Sequence, residues 1–271
     1  MKDKLVAAGI HLLFSALIVA SLVAVVMWVW FPGPLSRIEG VTIPLKILVI
    51  VDVILGPMLT FVVFKHDKPS LKKDLGVIIA LQLAAFGYGG WVMYQARTAV
   101  LAWDSGNVYS VRAGQTEGEP IPGWVTPVPG LHGTGLVYVE KINDPDFIAA
   151  VLRGDQADVT LLPAQYRPVS EHVQEIVASA PDIAKLLAEP AMQGPWQAFA
   201  ERHGVSRDEV IIVPLLGAHA DAGVVLRRED AGFVGLLDVD VRRVLELRKV
   251  RKNVPGGKQA GRAGDGSGPA A

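Results

Sequence analysis

The stretch IPLKILVIVDVILGPMLTFVVF, residues 43–64, decides the fold of this chain. It is apolar and it exceeds the roughly 20 helical residues that cross the hydrocarbon core of a bilayer. Asp52 nevertheless lies near its middle. A carboxylate at that depth costs on the order of 3 kcal/mol or more, so such residues face protein or water rather than lipid. The sequence therefore predicts a transmembrane helix with one face that protein must cover.

The residues that follow Asp52 define this face. Pro57 has no amide hydrogen, so the carbonyl group of Val53 loses its helical donor. Asp52, Gly56 and Thr60 are spaced i, i+4 and i+8, which places them on one side of a helix. We predict that Asp52, Gly56, Pro57 and Thr60 form a helix-packing or partner-binding site.

Two further apolar segments flank this one. Residues 5–31 form a run that is too long for a secretory signal and ends in aromatic residues, as interfacial belts do. Residues 75–94 carry no charge, and Gln82 is their main polar residue. We predict a membrane α-helical region of three transmembrane helices within residues 1–97.

Lysines indicate the orientation of these helices. The loop between the second and third spans carries a cluster of four, and the N-terminus carries two more: Lys65, Lys68, Lys72, Lys73, Lys2 and Lys4. Short basic loops stay in the cytoplasm. We therefore expect a cytoplasmic N-terminus and a C-terminal domain on the other side of the membrane, which is the periplasm if the cell is Gram-negative.

Candidate partners for Asp52 follow from depth. At about 1.5 Å per residue, Asp52 lies roughly 18 Å from the cytoplasmic end of its helix, level with Ser15 and Tyr88. His11 and Gln82 lie nearer that end, at roughly 10 Å by the same rise. This estimate predicts that Ser15 or Tyr88, rather than His11, caps Asp52.

The remainder of the chain has globular character. Residues 98–241 fit one small α+β extramembrane domain. Its predicted elements are a β-hairpin at 99–103 and 108–112, strands at 136–140, 158–162, 210–215, 224–227 and 233–239, and helices at 147–152, 169–178, 182–188 and 195–203. Residues 242–271 are basic and Gly-rich, and we expect them to be a disordered tail.

Motifs for chemistry are absent from the sequence. There is no cysteine, which excludes disulfides and thiolate sites. His132, His203 and His219 lack metal-ligand spacing, and neither a phosphate-binding glycine loop nor a nucleophile-elbow motif occurs. A net charge of −1 gives no argument for nucleic acid. We expect no catalytic residues, no metal, no cofactor and no nucleic-acid partner.

Asp52 itself has two interpretations. It could relay protons or ions, or it could be a polar latch that fixes helix packing or holds the helix of a partner. Three spans offer few helices to enclose a pathway, which favours the latch.

Several motifs together resemble a known family. They are FPGPL at 31–35, VDVILGPMLTFVVF at 51–64 and KPSLKKDLGVIIALQLAAFGYG at 68–89, with weaker support from LLPAQYRP at 161–168 and VPLLG at 213–217. The chain resembles the TfpX/TfpZ family of type IV pilin accessory proteins. The resemblance implies an inner-membrane protein that assists pilus assembly or modulates surface piliation, and it supplies no catalytic residues.

The expected function combines these observations. The three-helix region would present the face of Asp52, Gly56 and Thr60 to the apolar N-terminal helix of a type IV pilin subunit. The extramembrane domain would contact the pilin head or the inner-membrane pilus assembly machinery, so the expected partners are these proteins and the lipid bilayer. The alternatives are a membrane-anchored pilin-modifying enzyme and a small transport or signalling subunit that uses Asp52.

Overall fold

The computed structural model describes residues 1–65, 68–116 and 118–253. Three of its helical segments are long and apolar enough to cross a membrane: Lys2–Trp30, Thr42–Val63 and Leu71–Ala96. The described remainder of the chain forms a mixed sheet with helices. The predicted class, a membrane α-helical region followed by a small α+β domain, is confirmed.

Two of the three spans contain a π-helical turn, which is wider than a turn of α-helix. In chain order the helices of this part are α1 (Lys2–Val25), α2 (Leu35–Ile38), α3 (Thr42–Val49), α4 (Gly56–Val63) and α5 (Leu71–Ala96), with π-helical turns at Val26–Trp30 and Ile50–Leu55. The first π-helical turn ends the first span, and the second joins α3 to α4. Because single π-helical turns are frequent at functional sites, the position of Asp52 inside the second one is notable.

The extramembrane part is built on one seven-stranded sheet. Its strands are β1 (Thr98–Asp104), β2 (Asn107–Arg112), β3 (Gly135–Val139), β4 (Tyr166–Arg167), β5 (Val210–Leu216), β6 (Ala222–Arg227) and β7 (Phe233–Leu237). The spatial order is β4-β3-β1-β2-β5-β6-β7. The β1/β3 and β2/β5 pairs are parallel and the other pairs are antiparallel.

The predicted hairpin directly follows the third span. β1 and β2 pair antiparallel through Asp104 and Asn107, and the turn consists of Ser105 and Gly106 with φ of 49° and 82°. Two residues of positive φ match the right-handed twist of a hairpin, and glycine adopts such a φ without strain. The polar turn residues thus specify this hairpin as the sequence indicated.

In the described part of the chain, five α-helices accompany the sheet: α6 (Pro145–Arg153), α7 (Val173–Ser179), α8 (Ile183–Leu187), α9 (Pro190–His203) and α10 (Val241–Asn253). The strand predicted at 158–162 is instead a 3₁₀ turn, Val159–Leu161, because Oδ1 of Asp158 accepts a hydrogen bond from the backbone N–H of Thr160 at 2.9 Å. A side chain that caps a turn in this way competes with strand pairing.

Helix α10 occupies the beginning of the predicted disordered tail. Asp240 caps its start, since Oδ1 accepts from the backbone N–H of Arg243 at 2.8 Å, and Val241 and Val244 are buried in the apolar core. Burial of these two side chains orders a segment whose composition alone suggested disorder. Residues 254–271 of the predicted tail lie outside the described residues.

The loop between the first two spans enters the core of the extramembrane domain. We call residues 31–41 the junction loop. Its apolar side chains are almost completely buried: Phe31, Leu35, Ile38 and Val41. They belong to the same core cluster as Trp103 of the sheet and its neighbours on β5 and β6. One core therefore crosses the predicted boundary between residues 1–97 and 98–241.

Backbone contacts also hold the junction loop in place. The carbonyl oxygen of Ile38 accepts hydrogen bonds from the N–H groups of His219 and Ala220, at 2.9 and 3.3 Å. A Cβ atom on Gly217 would lie 2.2 Å from Cγ2 of Ile38, so only glycine permits this approach. The extramembrane domain is thus attached to the spans at two places, through the junction loop and through the end of α5.

Candidate functional site

A groove runs between α1 and α5 and is floored by the second span. We call it the membrane groove; its volume is about 450 Å³. Its walls are apolar side chains of α1 and α5: Ile10, Phe14, Ile18, Ile79, Leu83 and Phe86. Its polar residues are His11, Ser15, Asp52, Thr60 and Gln82. Several wall side chains are more than half exposed, so the groove opens at the surface of the helical bundle.

Gln82 of α5 covers the glycine of the predicted face. A Cβ atom on Gly56 would lie only 2.0 Å from Nε2 of Gln82, so the missing side chain provides the space for this amide. Nε2 of Gln82 donates a hydrogen bond to the backbone carbonyl of Asp52 at 3.3 Å. The space that Gly56 leaves on the predicted face is therefore filled by a side chain of the chain's own third span.

The π-helical turn explains why Gln82 contacts Asp52 rather than Val53. In an α-helix the N–H of residue 57 would bond to the carbonyl of residue 53, whereas in an i→i+5 turn the same position faces residue 52. Pro57 has no N–H in either case. In the π-helical turn the carbonyl group that lacks a backbone donor is therefore that of Asp52 rather than that of Val53. The side-chain amide of Gln82 donates a hydrogen bond to it.

His11 of α1 covers the other end of the predicted face. Its Nδ1 lies 2.6 Å from Oγ1 of Thr60, within hydrogen-bonding distance. Thr60 is buried, as are Gly56 and Pro57. Within the predicted set, these three residues pack against the chain's own helices.

Asp52 differs from the rest of the predicted set. Its side chain is only 5% exposed, and Oδ1 is buried without a hydrogen-bond partner among residues 1–65, 68–116 and 118–253. An unpaired buried acceptor costs about 1–3 kcal/mol, and more when the group is charged. Asp52 therefore contributes an acceptor without a hydrogen-bond partner to the membrane groove.

The predicted caps of Asp52 lie in different places. Ser15 lines the groove together with Asp52, but no described hydrogen bond joins the two. Tyr88 is 68% exposed, and its ring lies 6.1 Å from that of Trp91. His11, which the depth estimate excluded, lines the groove instead. The estimate assumed a uniform α-helical rise, and the second span does not have one.

The predicted topology residues are grouped at one end of the spans. Lys65, Lys68, Lys72 and Lys73 are exposed. Nζ of Lys68 forms an ion pair with Asp74 at 2.6 Å. At the same end, Nζ of Lys4 lies 5.8 Å from the ring centroid of Phe61. The N-terminus and the lysine-rich loop thus share one side of the bundle.

A second buried carboxylate, which the sequence analysis did not single out, lies in the junction loop. Glu39 is 3% exposed. Its Oε2 accepts from Nε of Arg112 at 2.8 Å, and its Oε1 accepts from the hydroxyl groups of Ser110 and Thr98 at 2.5 and 3.3 Å. Nearby, Nε of Arg37 donates to Oδ1 of Asp238 at 2.9 Å. These contacts connect the junction loop to the sheet.

The position of Glu39 in the sequence carried only a weak signal. It is one of two charged residues in an otherwise apolar and Gly/Pro-rich loop, and its partner Arg112 follows 73 residues later. A metal site is not formed either: no group of three or more His, Asp or Glu side chains in the described part of the chain could hold an ion.

Comparisons with known proteins agree on one family. The family model for the fimbrial assembly protein FimB matches residues 1–40. A fimbrial assembly protein of serogroups C1 and C2 of Dichelobacter nodosus is 31% identical over 118 residues, which cover 42% of this chain and 89% of the relative. The serogroup I protein of the same organism is 35% identical over 100 residues, covering 36% of this chain and 38% of the relative.

A third relative extends the same result. The serogroup E1 fimbrial assembly protein of Dichelobacter nodosus is 30% identical over 118 residues, which cover 42% of this chain and 46% of the relative. The matched region thus spans less than half the length of two of the three relatives. No solved structure matches the chain.

Proposed function

The chain belongs to the fimbrial assembly protein FimB family, and from that premise we propose that it is a non-enzymatic accessory protein for type IV pilin assembly at the bacterial inner membrane, of the TfpX/TfpZ type. Its relatives support a role in fimbrial assembly. The proposal adds a mechanism, a membrane and a partner to that role.

The membrane groove is the observation that carries the mechanism. It is apolar, open at the bundle surface and long enough to include residues from Ala7 to Val19 of α1. Close packing and interhelical hydrogen bonds, each worth about 1 kcal/mol, hold helices together in lipid. A pilin subunit that waits in the membrane would place its apolar N-terminal helix in this groove. Such a weak, reversible contact suits a subunit that must be passed on.

The four predicted site residues take different roles in this proposal. Thr60 lines the groove and contacts His11, while Gly56 and Pro57 are buried in the same helix, with Gln82 against Gly56. Asp52 would contact the pilin helix, because its buried Oδ1 has no hydrogen-bond partner in the described spans.

The proposed orientation follows from charge. The lysine-rich loop and the N-terminus would lie in the cytoplasm, by the positive-inside rule. The sheet domain, which begins directly after α5, would then lie in the periplasm. There it would contact the pilin head or the assembly machinery, and the shared core at the junction loop would hold it in a fixed position above the groove.

Deletion of the gene from its native strain tests the function. We expect surface pilin to fall while the inner-membrane pool of pilin persists. Mass spectrometry of that pool distinguishes the accessory role from a pilin-modifying enzyme, since only the enzyme would change the pilin mass. Normal surface piliation in the deletion strain would refute the proposed function.

Complementation then tests the groove. Asp52→Ala should reduce the amount of pilin that co-purifies with the protein. Ile54→Ala is a suitable control, because Ile54 lies in the same π-helical turn and is 56% exposed. If both variants are expressed normally and recover equal amounts of pilin, Asp52 is not part of the binding site.

A further inference from the structure

We propose that the helix held in the membrane groove carries a lysine ammonium group half-way through the bilayer, where it pairs with Asp52. This inference rests on the proposed function in taking the occupant to be a membrane-spanning helix. Its chemistry comes from the polar atoms of the groove.

The first step is an inventory of those atoms. Nδ1 of His11 and Oγ1 of Thr60 contact one another, and Nε2 of Gln82 is used by the carbonyl of Asp52. Oδ1 of Asp52 remains without a partner in the described part of the chain. Ser15 also lines the groove, but no described hydrogen bond joins it to Asp52. No described donor of the groove therefore reaches Oδ1, and an occupant that supplied only acceptors or only apolar surface would leave this atom unpaired.

The second step concerns cations within the chain. No described lysine or arginine forms an ion pair with Asp52. Lys46, six residues before it, is exposed, and Lys4 lies over the ring of Phe61. Among the described residues of the groove, His11 on α1 is the titratable group that faces Asp52; it acts on Asp52 electrostatically, but its hydrogen bond is to Thr60. A cation that pairs directly with Oδ1 of Asp52 must therefore come from another molecule.

The third step excludes a lipid as the source. Asp52 is the eleventh of the 22 residues of the second span, Thr42–Val63, so it lies near the middle of the hydrocarbon core. Phospholipid headgroups stay at the interface. An acyl chain could fill the apolar walls but brings no donor to Asp52, whereas a polypeptide helix can.

The fourth step favours an ammonium over a neutral donor. A carboxylate in a medium of low dielectric gains most from an opposite charge. An ammonium group on a lone helix in lipid is itself costly, so contact with Asp52 relieves two costs together. The membrane contains many apolar helices, and this pairing would distinguish one class of helix from the others.

Synthetic helices test the inference without pilin. The full-length protein, in lipid nanodiscs, is mixed with labelled Leu/Ala-rich peptides of about 22 residues, long enough to span the bilayer. The peptides have identical ends and carry either lysine or leucine at the centre. We expect the lysine peptide to bind about tenfold more tightly, as measured by energy transfer, and Asp52→Asn to abolish the preference.

A second variant separates binding from folding. Leu83→Trp narrows the groove from the α5 wall without altering Asp52, and it should weaken both peptides while the lysine preference remains. Equal binding of the two peptides to the wild-type protein would overturn the inference. So would a lysine preference that survives in Asp52→Asn.

The two proposals fail in different ways. If the inference is wrong, the peptides bind equally although deletion of the gene still lowers surface pilin. If the proposed function is wrong, deletion leaves surface pilin normal although the lysine preference is still measured.

Discussion

Two buried carboxylates of this protein have opposite surroundings. Glu39 in the junction loop is 3% exposed, and both of its oxygens accept hydrogen bonds, from Arg112, Ser110 and Thr98. Asp52 in the second span is 5% exposed, yet its Oδ1 has no partner in the described chain. Most buried polar groups of folded proteins have hydrogen-bond partners, so Glu39 follows the rule and Asp52 is the exception that needs an explanation.

The surroundings of the two carboxylates repeat this contrast. Phe31 and Leu35, next to Glu39 in the chain, are fully buried in the domain core. Phe14 and Leu83, which line the membrane groove beside Asp52, are 62% and 58% exposed. The junction is covered by residues of its own chain, whereas the groove is open at the surface of the helical bundle. Stability and partner binding should therefore respond differently to substitutions in the two regions.

Glu39→Leu should have the largest effect on stability. The substitution leaves the partly buried guanidinium of Arg112, 27% exposed, without its counter-charge. Breaking a buried pair from one side costs about 3 kcal/mol or more in free energy of unfolding. Thermal unfolding of the purified protein in detergent, followed by near-UV circular dichroism, would measure the loss.

An exposed ion pair supplies the control for this measurement. Asp155 pairs with Arg153 with both side chains more than 60% exposed, so Asp155→Ala should cost less than about 1 kcal/mol. If Glu39→Leu unfolded at the same temperature as Asp155→Ala, the junction loop would not be a stabilising connection.

The contrast also shows what the sequence could predict. The three spans followed from long, mainly apolar runs, and the hairpin followed from polar turn residues between short strands; both are properties of local sequence. The role of Glu39 required knowledge that Arg112, 73 residues away, would reach it. The same limit hid helix α10, since its order depends on burial of Val241 and Val244 against the sheet.

Helical spacing predicted that Asp52, Gly56 and Thr60 share one face. In the structure Asp52 and Thr60 line the membrane groove, and Gly56 lies against Gln82. The partners of that face, Gln82 and His11, could not be predicted from depth. The depth estimate needs a regular rise, and Pro57 lies just beyond a π-helical turn that changes it.

Gly56→Ala should have a smaller effect than Glu39→Leu. The new Cβ atom would displace the end of the flexible Gln82 side chain and break its hydrogen bond to the carbonyl of Asp52. We expect a loss of about 1 kcal/mol, the size of one interhelical hydrogen bond in a membrane. Gln82→Leu should lower the free energy of unfolding by the same amount in the same assay. The double variant should lose little more than either single variant. Additive losses would mean that Gly56 and Gln82 act separately.

Asp52→Leu should have the smallest effect on stability. It tests whether Asp52 stabilises the fold, as Glu39 does, or serves partner binding instead. Because Oδ1 has no partner, its removal breaks no side-chain hydrogen bond of the described chain. Replacing a buried polar group that lacks partners by an apolar one of similar volume is neutral or stabilising. We expect a free energy of unfolding within about 0.5 kcal/mol of wild type, or above it, together with reduced recovery of pilin. A loss as large as that of Glu39→Leu would make Asp52 a second internal latch, and the groove would then need no partner to satisfy it.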